Sequence, residues 1–379
     1  MTYSVIVVWS CMSPLFACIN TTYSRTDEVE ITNDVAHLII GAFAHHGSAF
    51  YRKEVGRCQA ILQKTPNDFD ARNDLGAAYT KLEQWKKAQS AFDENERRHP
   101  GQYRTASNLG VMYKKQGELA RAELWISKAL TIKPGGHMGL GDYYLRMIQW
   151  QKSLNSGKRS PVKNFLGIRY DAGAASTAAA ANREHVITLI KNDVGFADAY
   201  VVLGDILFVE ENYQLALRAY YRASYLTAPN GRKVRKRQER ILDLWKREMK
   251  PGFVFEDQWQ RQLDEEISAA DQWLSSYKTI EAYRIKKGES VGFAEMKKIM
   301  SISHPKPIVI EAVYYSGEKI DESNGNGDAV VWVGIVFGLC ACVLVFLLKR
   351  RTRIKRLKGK MPPAKPLDGP RYDSQLFGP

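Results

Sequence analysis

Apolar residues between positions 69 and 134 recur with the period of a helix, and the recurrence itself repeats. Leu75 and Tyr79 lie four apart and share one helix face, and Ala88 and Phe92 share a face of the next helix. Gly76 removes a side chain where a paired helix must approach closely. Pro100 stops the second helix, because proline has no N–H to donate and its ring clashes with the preceding turn. Thirty-four residues on, Leu109, Gly110, Tyr113, Ala122, Ile126 and Pro134 occupy the same places. Residues 67–134 therefore read as two copies of one helical hairpin.

A third copy runs through Leu203, Gly204, Ala216, Tyr220, Ala223 and Pro229, with Leu207 in place of the tyrosine. A basic amphipathic helix follows, with Val234, Ile241, Leu244 and Trp245 on its apolar side, so 196–250 reads as a repeat plus a capping helix. Residues 34–66 keep the unit's length and its terminal Pro66 but place Gly41 and Ala42 where Leu and Gly are expected, as in a degenerate capping repeat. Between 135 and 195 the period breaks. Helical stretches around 142–154 and 174–191 make this region either two diverged hairpins or an insertion. Residues 251–303 are helical again, with Trp259, Leu263, Ile267, Trp273, Leu274 and Tyr277 as the buried side, and 304–328 is a linker.

The spacing and types at Leu75-Gly76-x-x-Tyr79, Ala88, Phe92 and Pro100 resemble the tetratricopeptide repeat family. The resemblance implies an all-α solenoid of helical hairpins whose first helices line a concave, protein-binding groove. On that side, helical spacing places Asp70, Asp74, Ala77 and Lys81 in one repeat and Arg104, Asn108, Val111 and Lys115 in the next. Arg104, Asn108 and Lys115 look like part of the set with which some relatives grip peptide C-termini. The two aspartates depart from that set, so a mixed-charge peptide fits the face better than an acidic tail; the competing reading is a solvated surface.

Two apolar runs lie outside the repeats. Residues 329–348 carry no charge and, as a helix, would extend about 30 Å, the thickness of a bilayer core. Eight Lys or Arg follow between Lys349 and Lys360, which predicts one transmembrane helix with residues 349–379 as a basic cytoplasmic tail and the body outside the cytoplasm. The tail should attract anionic lipid. Gly334 and Gly338 form a GxxxG ridge that offers a pairing face for a homodimer. Residues 1–20 read as a signal peptide or an N-terminal anchor, and Leu15-Phe16-Ala17-Cys18 loosely resembles a lipid-attachment box.

Charge adds one exclusion. Of the formal net charge of +14, the stretch from Lys349 onward supplies +8 (ten Lys or Arg against two Asp), so the basic balance points to the membrane side rather than to a nucleic-acid face. Cys11, Cys18, Cys340 and Cys342 lie in the apolar ends, which leaves Cys58 alone in the body, and no CxxC pair suggests zinc or redox chemistry. Gly135–Gly141 has glycines but no preceding strand and no Lys-Ser/Thr, which makes it a turn rather than a phosphate loop. His45-His46 has no third ligand at metal spacing and reads as solvated or capping. No catalytic motif, metal site or cofactor site is expected. The leading expectation is a membrane-anchored, non-enzymatic scaffold for proteins or peptides, and the alternative is an accessory subunit of a cell-envelope assembly enzyme.

Overall fold

The computed structural model describes residues 34–136, 139–157, 163–168, 182–227, 232–248, 253–254, 258–300, 304–307 and 313–314. The fold is all-α. The repeat region holds α1 (Val35–Ile40), α2 (Ser48–Lys64), α3 (Phe69–Lys81), α4 (Trp85–Arg98), α5 (Tyr103–Lys115) and α6 (Leu119–Ile132). It continues through α7 (Leu140–Asn155), α8 (Arg183–Asn192), α9 (Ala197–Val209), α10 (Tyr213–Thr227) and α11 (Arg232–Glu248). Then come α12 (Gln258–Lys286) and α13 (Phe293–Met300), with a two-residue antiparallel pair between β1 (Phe253–Val254) and β2 (Val313–Tyr314). Among the described residues no helix is long and apolar enough to cross a membrane. The expected span 329–348 with Gly334 and Gly338, the N-terminal 1–20 and the tail 349–379 lie outside the described residues.

From α2 to α11 each helix packs on the next in chain order, so the stack runs unbroken through α7 and α8 in the region where the sequence period fails. Three hairpins share one joint. A Cβ on Gly76 would lie 2.4 Å from Phe92 Cε1, one on Gly110 2.5 Å from Ile126 Cδ1, and one on Gly204 2.4 Å from Tyr220 Cε1. The bare backbone of the first helix thus receives a large side chain from the second, and Phe92, Ile126 and Tyr220 are all buried. Each such burial is worth roughly 1.5–3 kcal/mol. The turn inside each hairpin repeats as well: Glu83, Gly117 and Glu211 hold equivalent positions and all have positive φ.

The two ends of the stack are joined by the chain's flanks. Helix α12 has 29 residues, a length of about 43 Å, and packs on α10, α1 and α2. Its buried side is Trp259, Leu263, Ile267, Ala270, Trp273 and Tyr277. Near its start Glu266 accepts two bonds from Arg218 of α10, at 2.8 Å from Nε and 2.7 Å from Nη2, with both side chains 3 % exposed. Near its end Glu281 accepts from the Gly47 amide at 2.8 Å and faces His46 Nδ1 at 2.5 Å. The expectation of a solvated or capping His46 is therefore overturned: the ring is buried, and stacks on Phe50 at 3.6 Å. Its carboxylate partner lies 235 residues further along the chain, beyond any local spacing rule.

The short α1 does not behave as the first half of a repeat. Its N-cap Asp34 accepts from the Ala36 amide, and Gly41 ends it in the left-handed region at φ 92. Its six residues bury Leu38, Ile39 and Ile40, and its principal neighbours are α8, α10 and α12. An apolar helix this short has no stable surface position, so it takes the space between the last hairpin and α12.

Candidate protein-binding surface

Helices α3 and α5 stand side by side as the first helices of consecutive hairpins. Asp68 starts α3 by accepting from the Ala71 amide at 2.7 Å, which places Asp70 and Asp74 one turn apart along the helix. Arg104 of α5 bridges them, with Nη1 at 2.5 Å from Asp70 Oδ1 and Nη2 at 2.5 Å from Asp74 Oδ1. The ladder continues inward: Asp74 Oδ2 also takes Arg57 Nη2 at 3.0 Å, and Arg57 holds Glu54 at 2.9 Å. Exposure falls steeply along it, from 73 % for the Asp70 side chain to 3 % for Asp74. The outer pair is therefore worth little, on the order of 0–1 kcal/mol, whereas the Asp74 carboxylate depends on both guanidiniums for compensation.

Burial alone would lower the Arg57 pKa, but its hydrogen bonds to Glu54 and Asp74 and its charge contacts with Cys58 and Glu54 outweigh that and raise it. Arg57 is a fixed cation. Beside it Cys58 is fully buried, and burial pushes its thiol up to about 12, with Asp74 and Glu54 adding to the effect and Arg57 opposing it. That thiol is no nucleophile at neutral pH.

Beneath the charges runs a neutral joint. Asn108 is 5 % exposed and donates to Asn73 Oδ1 at 3.3 Å, and Thr105 donates to the same oxygen at 3.4 Å. Asn95 donates to Thr105 Oγ1 at 3.4 Å and to the Phe69 carbonyl at 3.2 Å, and Asn73 also reaches that carbonyl at 3.2 Å. The joint ties four helix positions across the two repeats.

The structure thus brings Asp70, Asp74 and Arg104 together and gives Asn108 a different task from the one its position suggested. Asn108 is spent on the repeat joint and Arg104 on two carboxylates, so the peptide-gripping set is not assembled as three donors facing outward. Lys115 ends α5 and is exposed; Lys81 ends α3, half-buried, with Nζ 5.5 Å from the Tyr51 ring centre. Sequence reasoning missed Arg57 and Glu54, which belong to α2 in the unit without a clear signature. Among the described residues no group of three His, Cys, Asp or Glu side chains is placed to hold a metal ion.

The fold and this surface define a helical-repeat protein. Residues 73–137 match the family model of the tetratricopeptide repeat. That segment, from within α3 to just past α6, is similar to the tetratricopeptide repeat, and repeats of this family generally mediate protein–protein interaction. No curated protein matches the chain.

Proposed function

We propose that the protein is a membrane-anchored, non-catalytic scaffold that binds a partner polypeptide along the α3–α5 face. The observation that carries this reading is the half-exposed ladder Asp70–Arg104–Asp74 on a matched repeat array: both signs of charge are held in fixed positions at the surface by groups buried below. A partner segment with alternating charges can exchange with the outer pair at small cost, since exposed ion pairs are worth little. The anchor in this reading is the uncharged run 329–348, with the basic tail in the cytoplasm, in contact with anionic lipid, and the body on the other side. Gly334 and Gly338 provide the face for pairing two copies.

Photo-crosslinking residues placed at Asp70 and at Lys115 of the full chain in cells test the surface, with Glu239, exposed on the outer side of α11, as the control position. Partner adducts at the first two positions and not at the third are expected; equal adducts at all three would remove the surface from consideration. Orientation is read with an export-dependent reporter fused after Pro379, and activity of that reporter would overturn the cytoplasmic placement of the tail.

A further inference from the structure

Residues 304–307, His-Pro-Lys-Pro, lie across the junction of α1 and α12. The His304 ring stands 3.8 Å from the His37 ring of α1 and 4.4 Å from the Trp273 ring of α12, edge-on to each. The segment is pinned on both sides. Before it, the Met300 carbonyl at the end of α13 accepts from the Trp273 indole N–H at 3.4 Å, and after it β2 pairs with β1. It is a strap over an aromatic face, and its contact with α1 sets one histidine against another.

The charges around the two rings are unequal. On α1 itself the Asp34 carboxylate lies 3.1 Å from His37 Nδ1, but its side chain is 54 % exposed, so this pair is worth at most about 1 kcal/mol. The strap brings Lys306 as a further cation, while the Pro305 carbonyl favours a proton on His37. From α12 the facing group is the uncharged indole of Trp273, and the buried carboxylates of that helix are engaged elsewhere, Glu266 by Arg218 and Glu281 by His46 and the Gly47 amide. Helix α13 keeps Glu295 and Lys298 exposed. Helix α10 brings another cation, Arg222, against Gly41 at the end of α1, and the buried side of α8 is apolar. One exposed carboxylate thus stands against two imidazoles, a lysine and an arginine.

We propose that residues 304–307 are an acid-released strap: with both rings neutral, His304 sits between His37 and Trp273, and once the rings take up protons their mutual repulsion lifts the strap from α1 and α12. Histidine is the side chain whose ordinary titration separates neutral from mildly acidic surroundings. Burial first, and then the His304 ring, hold the His37 pKa below its usual value. The closed strap therefore binds fewer protons than the open one, and opening is favoured as pH falls below about 6.5. What opening uncovers is Trp273, 7 % exposed beneath the closed strap. The device lies apart from the α3–α5 ladder, so each reading can fail without the other.

The test is solvent exchange of the indole N–H groups of the full chain in detergent, read by NMR on isotopically labelled tryptophan at about pH 7.5 and about pH 5.5. Trp150, buried in α7, is the internal reference, since the two indoles share one intrinsic rate at each pH. Trp273 should be less protected than Trp150, and its protection should fall on acidification by up to about tenfold, the limit for one histidine that titrates a unit above the lower pH. His37→Phe should lose this response, and His304→Phe, which keeps an aromatic ring against Trp273, should reduce it. Equal protection of Trp273 and Trp150 overturns the proposal, because the strap would then open only with the whole fold. A wild type without the acid response overturns it too, as does a response that persists undiminished in H37F or, where that variant does not fold, in H304F.

Discussion

Substituting alanine at two glycines should move stability in opposite directions, and the difference measures the hairpin joint. Gly76 and Gly56 both sit inside helices, α3 and α2. Replacing a mid-helix glycine by alanine is worth up to about 1 kcal/mol in helix propensity. At Gly56 nothing lies within 4 Å of the new Cβ, so that gain stands alone. At Gly76 the Cβ would lie 2.4, 2.6 and 2.7 Å from three ring carbons of Phe92, a ring that is 0 % exposed and enclosed by the core. Forcing a side chain into a packed core costs about 1–3 kcal/mol. The net expectation is a loss of up to about 2 kcal/mol for Gly76→Ala and a gain of about 0.5–1 kcal/mol for Gly56→Ala. Urea unfolding of the full chain in detergent, followed by far-UV circular dichroism, reads both. The double variant Gly76→Ala with Phe92→Leu should couple by at least about 0.5 kcal/mol, because the smaller side chain makes room for the methyl group. Loss of stability at both glycines, or strict additivity in the double variant, would refute the claim that close approach to Phe92 explains the glycine.

Glu83 and Glu211 hold the turn position occupied by Gly117 in the second hairpin, with φ of 57 and 58; Glu83→Gly and Glu211→Gly should each raise stability by up to about 1 kcal/mol in the same unfolding assay, with no change at either position arguing against backbone strain there. Arg218→Met should cost about 3–5 kcal/mol by leaving Glu266 buried and uncompensated, whereas the paired change Arg218→Met with Glu266→Met should recover most of that loss. The His37 pKa is held below the usual histidine value by burial first and then by the His304 ring 3.8 Å away and by Lys306, against Asp34 and the Pro305 backbone, which raise it. The folded form thus binds fewer protons than the unfolded one, so stability should be constant above the unfolded value of about 6.5 and fall as pH drops through it toward the lower folded pKa. His37→Phe should flatten that fall; a wild-type stability that rises on acidification in this window would contradict the assignment.

The repeated hairpins were legible because their determinants are local. Leu75, Gly76, Ala88 and Phe92 lie within one unit, and the partner of Gly76 is sixteen residues away on the next helix, so the spacing that carries the resemblance is the spacing that makes the contact. The apolar stripe of α12 is legible for the same reason: Trp259, Leu263, Ile267, Trp273 and Tyr277 mark one helix face whatever it packs against. What it packs against is a separate matter. Helix α12 reaches α10 and the segment that leads into α2 through Glu266 and Glu281, whose partners Arg218 and His46 lie 48 and 235 residues away. No periodicity reports a pairing of that range.

The same limit governs the surface. Spacing put Asp70, Asp74, Arg104 and Asn108 on one side of two helices, but a helix face is not yet an interface. Whether a side chain there is offered to a ligand depends on what the layer beneath it lacks. Asn73, Asn95 and Thr105 form a joint that needs another donor, and Asn108 supplies it. Asp74 is buried and needs cations, and Arg104 and Arg57 supply them. Arg222 is the reverse case. Nothing in its local sequence separates it from Arg218 one turn earlier, and only the three-dimensional arrangement shows one guanidinium answered and the other not. In a repeat fold the residues that build the stack can be read from their period, while those with unmet electrostatic needs emerge only after every neighbour has been accounted for. The His37–His304 contact belongs to the second group, and it is there that a response to the medium should be traced.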